Sequence, residues 1–359
     1  MNELIDNWRA SIATASATHV PLRVRGGGSK DFYGEMPDSS HTAINTRGYR
    51  GVVEYEPSEL YITARCGTPL TEIEATLAEC GQMLAFEPPH FSTASDTGAT
   101  VGGCIAAGLS GPRRVSAGAV RDFVLGARLL DGTGCLRTFG GQVMKNVAGF
   151  DVSRMLAGSL GTLGIITEVS LKTLPRPAQE LTLCLEMDEA EAIAATNRWM
   201  AQALPLSATC WRADVLHVRL SGAPTAIQSA RAIIGGEIVA DDVVFWRDVR
   251  EQRHAFFATP GDLWRVSVPA LTSPKQLPGN ALSEWFGAQR WLRDVADAAA
   301  LRAHVIALGG HATLFRSADT TRVARFQPLA PALLTLHQRL KTAFDPYGVF
   351  NPGRMYPDF

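Results

Sequence analysis

Apolar residues at the start of the chain recur at helical spacing. Leu4, Ile5, Trp8 and Ile12 share one face, which predicts an amphipathic helix ending before Pro21. From Pro21 to Arg25 the period drops to two, the mark of a strand, and the run leads straight into Gly26-Gly27-Gly28. Strand patterns follow at Gly51 to Tyr55 and Leu60 to Arg65. Thr68-Pro69 then opens a helix with Leu70, Ile73 and Leu77 on one face and Gly81 as its stop. Phe123 to Leu130 and Cys135 to Phe139 flank Asp131-Gly132, so an antiparallel hairpin is expected there. Ile165 to Leu174 reads as a long strand. It is halted by Pro175-Arg176-Pro177, where two prolines remove ladder donors and stiffen the backbone, and the main domain boundary is placed at this point.

Beyond the prolines the pattern changes. Strands are predicted at Leu181 to Met187, Ser207 to Arg212, Val215 to Leu220, Trp264 to Val268 and Ala288 to Leu292. Helices are predicted at about Glu189 to Ala203, after Pro224, and at Asp297 to Leu308. This alternation describes an antiparallel sheet backed by helices on one face, not a Rossmann repeat.

Composition narrows the function. Lys and Arg number 34 against 35 Asp and Glu in 359 residues, so the formal charge of -1 gives no field that would favour nucleic acid or an anionic membrane. The six cysteines form no CxxC pair and no short-range cluster with histidine, which argues against an iron–sulfur cluster or structural zinc held by this chain alone. The first twenty residues lack a basic-then-apolar leader and no apolar run reaches ~18 residues. The reading is a cytoplasmic protein with free thiols and no direct membrane insertion.

Three glycine-rich elements carry candidate chemistry. Arg25-Gly26-Gly27-Gly28-Ser29-Lys30 leaves a strand, and its glycines let successive N–H groups converge on an anion such as a pyrophosphate. The order Gly-Ser-Lys fails the Walker A pattern, and Lys30 followed by Asp31 fails the Rossmann fingerprint. A flexible hairpin loop would carry the same residues. Asp96 to Gly108 is a small-residue run opening a helix at about Val101, able to admit a flat ring or simply to pack tightly. Gly158 to Thr167 spaces glycines three apart on the way into a strand, which suits amide presentation to a ligand edge and equally an ordinary strand entry.

In this order the three elements resemble the FAD-binding domain of the vanillyl-alcohol oxidase / p-cresol methylhydroxylase (PCMH) family, with similarity from about Pro21 to Pro177. Phe344 to Arg354 resembles that family's C-terminal return to the flavin domain. Closer still, Phe86 to Phe91, Gly108 to Arg114 and Val143 to Arg154 are similar to the family of smaller FAD-binding subunits of bacterial glycolate oxidases. The resemblance implies an α+β fold. Its parts are a PCMH-type FAD-binding domain at 1–176, an antiparallel α+β cap at 177–340 and a returning segment at 341–359. It implies that Gly26, Gly27, Gly28 and Ser29 cradle the FAD pyrophosphate, that Thr100, Gly102, Gly103 and Gly108 line the flavin, and that Gly164, Ile165 and Ile166 meet it through backbone. Ser29 stands where members with a covalent flavin often carry histidine, so non-covalent FAD is expected. Valine at Gly27 is expected to abolish binding, because a β-branched side chain resists positive φ and fills the phosphate space. His90 is a candidate to face the flavin, against the plainer reading of a loop histidine packed on its neighbours.

Relatives that oxidise 2-hydroxy acids carry two metal-binding histidines seven residues apart and a downstream Glu-His pair. Here His311 occupies the first position, Ala318 the second, and Glu-His is absent downstream. No metal and no catalytic residue are therefore assigned, and His311 is read as structural or partner-facing. Arg290, Arg293, Arg316, Arg322 and Arg325 are candidate carboxylate clamps, with solvated surface arginines as the default. Trp211, Trp246, Trp264, Trp285 and Trp291 belong either to a core or to an interface. The implied function is an FAD-binding subunit of a complex that oxidises glycolate to glyoxylate. Its partners would be a larger flavoprotein subunit and an iron–sulfur subunit, with any inner-membrane contact made through the complex. The rival readings are a stand-alone flavin-dependent 2-hydroxy-acid dehydrogenase, a UDP-N-acetylenolpyruvylglucosamine reductase, and a structural subunit with inert or absent flavin.

Overall fold

A computed structural model of the chain describes residues 2–92, 98–142, 151–317 and 323–357. The opening helix spans Asn2–Thr18 and buries Ile5, Trp8, Ile12 and Ala15. These pack on Leu22, Ile44, Leu130, Ile165 and Phe350, so the first helix covers one face of the sheet that follows. Leu22–Arg25 pairs in parallel with Thr42–Asn45.

A five-stranded antiparallel sheet runs in the order Val52–Glu56, Tyr61–Arg65, Ile165–Lys172, Val124–Leu130, Leu136–Gly140. The hairpin at Asp131 forms because its carboxylate accepts from Thr133 N, Cys135 N and Thr133 Oγ1, and Gly134 supplies the positive φ of 75°. Helices Leu70–Glu79 and Val101–Ala107 place Leu70, Ile73, Leu77, Val101 and Ile105 against the second face. Ile165–Lys172 is central and covered on both sides, which is why it is buried almost continuously along its length.

After Pro175 the chain enters an eight-stranded antiparallel sheet. Its order is Glu237–Ile238, Gln179–Glu186, Val215–Gly222, Leu206–Arg212, Asn280–Glu284, Gln289–Arg293, Leu263–Ser267, His311–Arg316. Helices Glu189–Ala201, Pro224–Ile234 and Ala298–Ala307 cover one face through Trp199, Ile227, Ala230, Leu301 and Val305. The opposite face presents Ala208, Cys210, Leu282, Trp291 and Phe315 to Tyr33, Phe91, Leu109 and Leu160 of the first unit, so one apolar core spans both units. The chain is α+β, as the pattern predicts.

Elements that the periodicity did not reveal are the helices Asp242–Arg250 and Pro331–Phe344 and the strands Thr42–Asn45 and Asn280–Glu284. Pro331–Phe344 runs through the expected boundary at 340/341, and Leu340 and Phe344 pack on the core of the first unit. Among the described residues no helix is long and apolar enough to cross a membrane.

Candidate functional site

The strand Leu22–Arg25 delivers the chain into the Gly26–Gly28 loop, which lies directly on the segment that opens the helix at Val101. A Cβ on Gly26 would collide with Thr100 Oγ1, and one on Gly27 with the Gly98 carbonyl. Gly28 is the loop residue with positive φ, at 82°. The expectation for Gly27 is corrected in its reason: close approach of a second backbone, not positive φ, requires glycine there. Thr100 caps the helix, its Oγ1 accepting from Gly103 N at 3.3 Å.

Gly26, Gly27, Gly28, Ser29, Thr100 and Gly103 line one cavity of about 90 Å3. The other expected positions lie elsewhere. Gly102 packs on Cys66, where a Cβ would sit 2.6 Å from the cysteine Cβ. Gly108 ends the helix at φ 68° against Gly158, and Gly164 approaches the Leu130 carbonyl. Ile165 and Ile166 bury their side chains in cores on opposite faces of the sheet.

Arg23, Asn351 and Arg354 also line this cavity without having been among the expected site positions, the last two within the tail expected to return to the flavin domain. Asn351 accepts from Val24 N at 2.9 Å and donates to Leu160 O at 2.7 Å. Arg354 Nη2 donates to Lys30 O and Asp31 O, at 3.4 and 2.9 Å. Arg23 Nε and Arg354 Nη1 are buried with no hydrogen-bond partner among the described residues. Asp31, the one carboxylate lining the cavity among the described residues, pairs with Arg25 at 2.8 Å. The loop backbone, the start of the helix at Val101 and the Arg23, Arg25, Lys30 and Arg354 side chains thus line one cavity.

A second polar region joins the two units. Glu87 is surrounded by Arg113 and Arg219, at 3.4 and 2.9 Å, and Arg113 also pairs with Glu180. Burial pushes the Glu87 carboxyl up, but the two guanidinium groups outweigh it and hold the group below its ordinary range. Beside this network a cavity of about 460 Å3 opens between the units, lined by Glu74, Arg113, Arg176, Arg219 and Trp246 among others. His90 belongs here: its Nε2 meets Glu74 at 3.1 Å and its backbone N–H donates to Glu251, while its carbonyl accepts from Lys30 Nζ.

The solvated default for the cap arginines is overturned. Arg290 is fully buried and pairs with Glu189 at 3.2 Å. Arg293 donates to Gly261 O and Phe257 O, Arg316 stacks 3.5 Å over the Phe32 ring, and Arg325 is buried against Ser317 O. Trp246, Trp264, Trp285 and Trp291 are buried. The Trp285 indole donates to Gly111 O, so its interface is the one between the two units of this chain. His311 begins the outermost strand His311–Arg316 and is surface-exposed there; partial desolvation by its neighbours, together with Arg265 and Arg114, lowers its proton affinity. Among the described residues no three His, Cys, Asp or Glu side chains are grouped as a metal would require. Asp96, Val143 to Phe150, Ala318 and Arg322 lie outside the described residues.

Comparison with known proteins shows the family and the fold. A family model described as an FAD binding domain matches residues 5–140. The chain is 46% identical over 344 residues to glycolate oxidase subunit GlcE of Escherichia coli (strain K12), covering 96% of this chain and 95% of the relative. It is 30% identical over 186 residues to glycolate oxidase subunit GlcD of Bacillus subtilis (strain 168), covering 52% of this chain and 38% of that one. The crystal structure of p-cresol methylhydroxylase with substrate bound superposes with a TM-score of 0.67 at 13% identity, over 99% of this chain and 87% of that one.

Proposed function

The chain belongs to the family of glycolate oxidase subunit GlcE, built on an FAD binding domain, and from that membership we propose that it is the smaller FAD-binding subunit of a complex oxidising glycolate to glyoxylate. The observation that carries this reading is the likeness to that subunit along nearly the whole of both chains. FAD, when bound, supplies a two-electron acceptor that can also pass electrons on singly.

The chain's own residues suit the cofactor's diphosphate. A Cβ at Gly26 or Gly27 would force the loop away from Thr100 and the Gly98 carbonyl, and two buried guanidinium nitrogens lining the same cavity lack acceptors among the described residues. In this reading Gly26 to Ser29 hold the diphosphate, Thr100 and Gly103 close the far wall, and Gly102, Gly108, Gly164, Ile165 and Ile166 set the backbone around the ring system. Ser29 gives the loop no imidazole, which supports non-covalent FAD. The Glu87–Arg113–Arg219 network fixes the cap on the first unit. A larger flavoprotein subunit would carry substrate oxidation. An iron–sulfur subunit would receive the electrons, and any contact with the inner membrane would be made through the complex.

Anaerobic mixing with glycolate tests the reading. The isolated FAD-loaded chain should keep its flavin absorbance, and the assembled complex should lose it. Rapid bleaching by the isolated chain, surviving a chelator, would instead establish a stand-alone dehydrogenase.

A further inference from the structure

We propose that the C-terminal tail completes the dinucleotide site: Arg354, with Arg23 on the strand beside it, presents side-chain N–H groups to the diphosphate held at the Gly26–Gly28 loop. The proposal rests on the FAD reading above and adds two cationic side chains to a backbone cradle.

Residues more than three hundred positions apart are brought together by a fixed path. Lys341 is buried and donates from Nζ to Thr162 O, Phe350 O and Asp345, at 2.7, 2.8 and 2.7 Å. Asp345 in turn accepts from Val349 N and Phe350 N, and Leu22 N donates to Val349 O at 2.7 Å. Asn351 then spans Val24 and Leu160, so the tail runs beside the strand that leads into the loop. Arg354 therefore arrives beneath the loop, where Nη2 is used on Lys30 O and Asp31 O.

Nη1 of the same guanidinium and Nε of Arg23 are buried without acceptors among the described residues. Both residues line the cavity of about 90 Å3, where Asp31, the one lining carboxylate among the described residues, is engaged with Arg25. A buried N–H without an acceptor is costly, and two guanidinium groups facing one small space repel. An anion with several oxygens relieves both conditions, and the guanidinium fork matches phosphate geometry. Burial lowers the Arg354 proton affinity to about 10; Asp31 and Glu35 oppose this, and Arg325 and Arg23 add to it. A bound diphosphate would oppose the lowering.

The full-length apoprotein is titrated with FAD, and inorganic pyrophosphate is used as competitor, for wild type, Arg354→Gln and Arg23→Gln. Arg23 makes no side-chain hydrogen bond or ion pair among the described residues, so its replacement leaves the fold intact and keeps the test valid if Arg354→Gln misfolds. FAD binding is expected to weaken about ten- to a hundredfold in each variant, with a flatter dependence on salt. Pyrophosphate competition seen in wild type is expected to disappear. Wild-type FAD affinity in both variants overturns the proposal, as does weaker FAD binding with pyrophosphate competition unchanged. A wild-type chain that binds no FAD overturns the functional reading itself.

Discussion

Glu284 offers a measurable link between burial and pH. It ends the strand Asn280–Glu284, is 4% exposed, and faces the junction between the units beside Arg265, Gln289 and Trp291. Trp291 Nε1 and Gln289 Nε2 both donate to Oε2, at 2.6 and 3.1 Å, and no cation pairs with the carboxylate among the described residues. Burial raises its pKa from 4.5 to about 7. The two donors oppose this and the nearby Glu87 charge adds to it. Over the window between these values the folded chain keeps a proton that the unfolded chain releases. The stabilisation is complete below the unfolded value and is lost as pH rises through the folded one. The shift corresponds to about 3 kcal/mol at ~1.4 kcal/mol per unit. Glu284→Gln keeps the shape and an oxygen for Trp291 but carries no charge at any pH. Its stability relative to wild type should therefore improve by about 2 kcal/mol between pH 5 and pH 8, since most of the shift falls inside that range. Urea unfolding of both proteins at the two pH values measures this, and titrations common to both cancel. A stability difference that is the same at pH 5 and pH 8 would refute the assignment of an unpaired buried carboxylate.

Gly27→Val should separate the loop from the Gly98 segment and yield protein without flavin, so gel filtration after FAD loading checks it and wild-type flavin content would remove the loop from the site. Acid precipitation of the loaded chain should leave a yellow supernatant; a yellow pellet would mean covalent attachment and contradict the reading of Ser29. Glu87→Gln leaves Arg113 and Arg219 buried without their shared carboxylate, and a loss of about 3 kcal/mol is expected. Chemical denaturation should show it, with the two units unfolding less cooperatively, and a change below ~0.5 kcal/mol would show the network to be screened by solvent.

The sequence by itself determined the elements whose causes are local. Periodicity placed the first helix, Leu70–Glu79 and the helix–strand alternation of the cap. Pro175 to Pro177 marked the change of sheet, Asp131 the hairpin, and the three glycines the tight loop that leaves Leu22–Arg25. Each depends on neighbours within a turn or a strand, where side-chain period, capping and backbone freedom suffice. Tertiary structure decided which of those residues meet. Gly102 and Gly108 meet Cys66 and Gly158, and close packing against a distant backbone leaves the same mark in sequence as close approach of a cofactor. Arg290, Arg293 and Arg316 look like surface charges until both faces of the cap sheet are covered and their forks are taken up by carbonyls, Glu189 and an aromatic ring. Arg354 joins the loop only through contacts made across more than three hundred residues, and no local pattern encodes a partner at that separation. The unpaired charge of Glu284 and the unused nitrogens of Arg23 and Arg354 are likewise properties of burial, which belongs to the folded chain as a whole.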